Sequence, residues 1–303
     1  MHHPCTNPRA PPGEALSTAR VDAGYRLGVV TGFPVLEQNS LAAIADLCRR
    51  GISDSPTLDE LDRTLFTAEQ PAIVRGDPAV GVVATVDCDD GAHMRLIVVD
   101  PELRGRGHGR ELLRAAEADA RAAGSAALTI GADAPFFLWA GVPSANIELL
   151  SLFERHHYER VEANFDMSID LTTIPADLGG HAIATLFDRD EVASWMAAHW
   201  PNWRAECLRA LDKGNLVIAR DDTGISAFCG FEVNRAGFLG PVAVRPDLLG
   251  RGAGRGALVG ALHELRRRGR DRIEVNWVGP VVPYAVLGGR VSTVYFVYRR
   301  TLS

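Results

Sequence analysis

The strongest constraint on this chain is that it repeats itself. Residues 94–113 read MRLIVVDPELRGRGHGRELL, and residues 239–258 read LGPVAVRPDLLGRGAGRGAL. Pro101, Gly105, Gly107, Gly109, Arg110 and Leu113 recur 145 positions later as Pro246, Gly250, Gly252, Gly254, Arg255 and Leu258. The 303 residues therefore hold two copies, in line with roughly 100–200 residues per domain. Each copy is long enough to bury its own core without a disulfide or a structural metal.

The flanks repeat in the same order. In the first copy 79–90 and 92–100 read as a hairpin turning at Gly91, and apolar residues at helical spacing follow from Gly109 to Gly124. A short strand (126–130), a helix (146–156) and a closing strand (160–171) complete it. The second copy reads as a strand (181–188), two helices (190–199 and 202–213), strands at 215–220, 224–234 and 237–244, and a helix at 254–268. A strand (272–278), a short helix (283–287) and a last strand (291–298) follow. From the hairpin onward both copies read β-β-α-β-α-β, an α/β (α+β) mixed sheet. The expected division is a Pro-rich tail (1–24), an N-terminal domain (25–171), a linker (172–180) and a C-terminal domain (181–303).

Composition narrows the partners. The five cysteines are scattered without a C-x-x-C pair, so we expect buried thiols, no metal and a reducing cytoplasm. A formal charge of −6 argues against nucleic acid as the main partner. Only Lys213 among the 32 basic residues is a lysine. The tail lacks the apolar segment of a signal peptide, and no stretch approaches the roughly 18 apolar residues of a membrane span. A monomer or homodimer is expected.

In both copies a strand ends at a proline, a glycine-rich turn follows, and a helix begins. Glycines admit positive φ and close approach of a ligand, while the first N–H groups of the helix favour an anion. Hydrogen bonds to a charged group contribute about 1.5–3 kcal/mol each, so backbone amides can hold a pyrophosphate without lysines. Residues 252–257 also satisfy the dinucleotide pattern G-x-G-x-x-A. The first copy does not, and its preceding strand comes from a hairpin instead of an opening βαβ unit.

The segment Arg104-Gly105-Arg106-Gly107-His108-Gly109 resembles the acyl-CoA signature of the GNAT superfamily of N-acetyltransferases, [QR]-x-x-G-x-[GA]. The second copy matches at Gly252 and Gly254 within Leu249-Gly250-Arg251-Gly252-Ala253-Gly254, with Leu249 replacing Gln or Arg. The resemblance covers about residues 25–300 as two consecutive GNAT-like domains, a plan similar to mycothiol synthase and other bacterial tandem acetyltransferases. It implies that the strands Ile97, Val98, Val99 and Val242, Ala243, Val244 hydrogen-bond the pantetheine arm of acetyl-CoA, and that both loops cradle its pyrophosphate.

The resemblance also implies direct attack of an amine on the thioester, with a base for the amine proton and an acid for the departing thiolate. Tyr284 stands where the family's F-Y-x-x-x-G segment carries that acid, whereas the first copy has Phe153 there. We therefore expect chemistry in the C-terminal copy, with Glu232 and Glu274 as candidate bases. The loop 135–143 and Trp277-Val278-Gly279-Pro280 either line an acceptor pocket or seal the domain junction. The negative charge is compatible with cationic small-molecule acceptors such as aminosugars, aminoglycoside-like antibiotics or polyamines. A non-catalytic acyl-CoA-binding protein, or an acetyltransferase acting on protein lysines, is the alternative.

Overall fold

A computed structural model describes residues 32–302 except Ala68, Asp89, Ala132, Ala134, Pro135 and Leu178. The Pro-rich tail, with Cys5, and Pro135 of the aromatic loop thus lie outside the described residues. The first copy runs β1 (Val35–Leu36), α1 (Leu41–Gly51), α2 (Leu58–Leu65), β2 (Ile73–Asp77), β3 (Gly81–Cys88) and β4 (Gly91–Val99). It continues with α3 (His108–Ala122), β5 (Ala127–Ile130), β6 (Val142–Pro143), α4 (Ile147–Arg155) and β7 (Glu159–Asp170). The second repeats this as β8 (His181–Ile183), α5 (Arg189–His199), α6 (Arg204–Asp212), β9 (Leu216–Asp221), β10 (Gly224–Phe231) and β11 (Phe238–Val244). Then come α7 (Gly254–Arg267), β12 (Arg272–Val275), α8 (Val282–Ala285) and β13 (Arg290–Thr301).

One element is shorter than its pattern suggests. The strand expected over 181–188 ends at Ile183, because the Asp188 carboxylate accepts from the Thr185 N–H and hydroxyl and turns the chain into α5. Among the described residues no helix is long and apolar enough to cross a membrane.

Strand alternation places helices on both faces of the sheet. In the first copy Val82 and Ala84 pack with Ile44, Leu47 and Leu61 of α1 and α2, while Val83 packs with Leu112 and Leu113 of α3. The second copy does the same, with Phe228 facing α5 and α6, and Ala227 and Cys229 facing α7.

The order of strands differs from two separately closed sheets. One continuous sheet runs β1-β2-β3-β4-β5-β13-β7-β12-β11-β10-β9-β8, with β6 on β13. The strand read as closing the first copy, β7, pairs with β12 of the second, and β13 pairs with β5 of the first. The two exchanged strands then pair with each other from Arg290–Ser168 to Arg299–Glu159. The two strands bury residues at matching places along their length, Asn164, Asp166 and Met167 of β7 and Tyr295, Val297 and Tyr298 of β13. The junction is also tied by polar contacts: Glu60 of α2 accepts from Ala236 N at 2.7 Å, and Arg235 pairs with Asp54 at 2.7 Å.

Candidate functional site

Strands β11 and β12 are parallel neighbours only at Phe238–Glu274 and Leu239–Val275. Gly240, at φ 138°, and Pro241 then part them, and Val242, Ala243 and Val244 stay paired with β10 alone. The opening leads into a cavity of about 750 Å³. Its walls include the splayed strand, the loop residues Leu249, Gly250, Gly252, Ala253 and Gly254, and Tyr284 of α8. Arg251 is exposed and stands outside this wall.

The loop suits an anion by its backbone. Gly250 and Gly252 adopt φ of 75° and 79°, and nothing lies within 4 Å of where a Cβ would stand on either, so the cradle is open. The N–H groups of Gly250, Gly252, Ala253 and Gly254 take no acceptor among the described residues. They gather at the start of the 14-residue α7, where the helix dipole favours negative charge. These residues fit a pyrophosphate, and the apolar strand beside them fits the arm that would follow it.

The first copy has the same loop over a filled wedge. Gly105 and Gly107 keep φ of 75° and 97°; a Cβ on Gly109 would lie 3.3 Å from Leu152 of α4, whereas one on the equivalent Gly254 would lie 2.7 Å from Val244 of β11. Leu149, Leu150 and Leu152 pack with Ile97, Val99 and Phe153 where β4 and β5 part. Arg104, the better match to the signature, donates to the carbonyls of Gly51 (2.7 Å) and Val99 (3.4 Å) and so fastens the loop to α1. None of Ile97, Val98, Val99, Arg104, Gly105, Arg106, Gly107, His108 or Gly109 lines the large cavity. Of the expected cofactor-binding residues, those of the C-terminal copy except Arg251 line this cavity, while His108 of the first copy lines a separate cavity of about 420 Å³.

Tyr284 is 7% exposed, lines the cavity and has no side-chain hydrogen bond among the described residues. Burial pushes its phenol upward, so it stays protonated. The two carboxylates proposed as bases lie elsewhere. Glu232, at φ 48°, accepts from Gly237 N (2.8 Å) and pairs with Arg270 (2.6 Å), which shapes the turn between β10 and β11. Glu274 lies between Ile273 and Val275, which face α7; strand alternation turns it to the other face, where its carboxylate accepts from the Ser292 hydroxyl.

The carboxylate that does line the cavity is Glu206 of α6, which sequence reasoning missed. It is 3% exposed; Oε1 accepts from Asn234 Nδ2 at 2.8 Å, and Oε2 has no partner. A signal existed: Glu206 sits one turn from Trp203 and from Ala210, on the apolar stripe of its helix. Behind the cavity wall, Asp166 of the exchanged β7, which does not line the cavity, accepts from Trp277 N (2.8 Å), Asn276 Nδ2 (3.2 Å) and the Tyr295 hydroxyl (3.2 Å). Those bonds hold Trp277 at φ 48°, with its ring edge-on to Phe137 (5.3 Å) and Trp203 (6.5 Å). Phe137 and Trp277 thus both line the cavity and join the two halves.

Burial raises both acids, Glu206 to about 7 and Asp166 to about 6. For Asp166 the nearby Glu274 adds to the rise, while its three hydrogen bonds oppose it. Because the folded values exceed the ordinary 4.5 and 3.8, the folded chain holds protons that the unfolded chain has released. The contribution of both groups is full below about pH 4 and is lost as pH rises toward 7. Urea midpoints should fall between pH 5 and pH 8, and Glu206→Gln should flatten that slope; an unchanged slope in the variant would show that Glu206 is not strained by ionisation.

Comparison with known proteins agrees with this geometry. The family described as "Acetyltransferase (GNAT) domain" matches residues 62–160, and "Acetyltransferase (GNAT) family" matches residues 180–283. Curated proteins yield no match. Among solved structures, a glucosamine N-acetyltransferase region of a fungal multi-domain GH3 β-N-acetylglucosaminidase is similar over 90% of this chain, at 20% identity and TM-score 0.72. This chain spans 38% of that protein's length. A GCN5-related N-acetyltransferase from Sphaerobacter thermophilus is 19% identical over 89% of this chain and 95% of its own, with TM-score 0.66. A tandem GNAT protein from the clavulanic acid biosynthesis pathway is 15% identical over 90% and 98%, with TM-score 0.67. These likenesses show a shared tandem fold and do not single out mycothiol synthase.

Proposed function

The chain belongs to the GNAT acetyltransferases, as two consecutive copies of their domain, and from that premise we propose that its C-terminal copy moves an acetyl group from acetyl-CoA to the amine of a small molecule. The observation that carries this reading is one cavity uniting the open amide cradle at Gly250–Gly254, the splayed strand Val242–Val244 and the unpartnered Tyr284 hydroxyl. The cradle binds the pyrophosphate, the strand offers its backbone to the pantetheine arm, and Tyr284 protonates the leaving sulfur. Acetyl-CoA supplies the activated thioester. The first copy, with Leu149, Leu150 and Leu152 packed beside its loop, acts as scaffold; it lends Phe137 to the cavity wall and Asp166 as the acceptor that holds Trp277.

A cavity walled by tryptophans favours a small acceptor over a lysine held in a protein loop. The test is release of free CoA thiol with a panel of small amines. Turnover with at least one of them supports the reading. Silence across the panel, in protein that binds acetyl-CoA, contradicts it and favours a binding protein without chemistry.

A further inference from the structure

Besides the Tyr284 hydroxyl and the open amides of the Gly250–Gly254 loop, the cavity holds two buried side-chain acceptors, Glu206 Oε2 and Asn276 Oδ1, that have no partner among the described residues. A buried carboxylate oxygen left without a hydrogen bond is costly, so the occupant that suits it is a donor. The Trp203–Trp277 ring contact brings the segments carrying the two acceptors to one wall. An ammonium offers three N–H donors and no acceptor, and indole faces attract cations.

The rest of the wall says what the nitrogen is attached to. Trp200, Trp203, Phe228, Trp277 and Phe137 line the same cavity as the carboxylate, and the Trp200 indole N–H is already given to Val244 O at 3.0 Å. Among the described lining residues Glu206 is the one carboxylate, its charge already offset in part by Arg209 on the same helix, so a second cationic centre finds no counter-charge. A ring of hydroxyls finds few polar partners on so aromatic a surface.

We propose that Glu206 recognises the acceptor as an ammonium and takes its proton, and that the acceptor is a primary amine on an apolar body of aromatic size, in place of an aminosugar or polyamine. This rests on the acetyl-transfer reading. One ammonium proton passes to Glu206 and on to solvent, which frees the nitrogen lone pair. The nitrogen bonds to the thioester carbonyl carbon and the C–S bond breaks. Tyr284 gives its proton to sulfur and regains one from the amide nitrogen, so one proton is released per turnover. Glu206 would thus be a catalytic residue in contact with the reacting nitrogen.

The experiment compares 2-phenylethylamine, tryptamine, glucosamine and spermidine by quenching of protein fluorescence and, separately, by CoA release, in the full chain and in Glu206→Gln and Glu206→Asp. The two arylalkylamines should bind and turn over best. Glu206→Gln should weaken their binding more than about tenfold and lower kcat/KM about 100-fold or more, with acetyl-CoA affinity within about twofold; Glu206→Asp should recover part of the loss. Preference for glucosamine or spermidine would overturn the proposal, as would Glu206→Gln binding and acetylating arylalkylamines like the parent. Amine binding that depends on Glu206, without CoA release from any amine, would leave the recognition standing and refute the transfer reading instead.

Discussion

Deletion of residues 290–303 is expected to abolish cooperative folding of the N-terminal half, although the deleted strand belongs to the C-terminal copy. β13 supplies the partner of β5 through Tyr298–Ile130 to Thr301–Ala127, and Tyr298, with no exposed surface, sets its ring 5.5 Å from that of Phe153 of the first copy. Loss of such a buried aromatic alone costs about 3–5 kcal/mol, a large part of the roughly 5–15 kcal/mol that holds a domain. Deletion also exposes the edges of β5 and β7 in the middle of the sheet. For the same reason fragments 1–176 and 177–303 should each lack a cooperative thermal transition, and their mixture should regain one. Two fragments that melt cooperatively on their own would show that the exchange of strands is dispensable.

Tyr284→Phe should lower kcat by about 10²–10³-fold, with little change in stability or in acetyl-CoA affinity. A positioned general acid contributes about 10²–10⁴-fold. The small structural effect follows from the hydroxyl having no hydrogen-bond partner among the described residues, so its removal leaves none of them orphaned. Because burial keeps the phenol protonated, the loss should be the same across the working pH range. Rapid-quench measurement of acetyl transfer reads the chemical step directly; a rate within about threefold of the parent would assign the proton to another donor.

The doubled turn made the two GNAT copies legible, because glycine spacing and the strand–turn–helix order are local properties. Which strand closes which sheet was not, since the choice of partner is decided by pairing across 100 residues and more. The filled wedge of the first copy was hidden for a similar reason. Arg104 improves the match to the acyl-CoA signature, yet its guanidinium is spent on Gly51 and Val99, while the copy with Leu249 in that place keeps the open cradle. Among the carboxylates, period-two alternation already turned Glu274 away from the helix-covered face, and Glu206 on an apolar helical stripe was the anomaly worth following.

The central claim is that the C-terminal copy alone binds the acyl donor. Titration calorimetry of the full chain with acetyl-CoA tests it most directly, alongside Ala253→Glu and His108→Glu, which place a negative charge at equivalent points 145 residues apart in the two loops. The account predicts one acetyl-CoA per chain, binding lost in Ala253→Glu and unchanged in His108→Glu. Two molecules per chain, or binding that survives Ala253→Glu and is lost in His108→Glu, would contradict it.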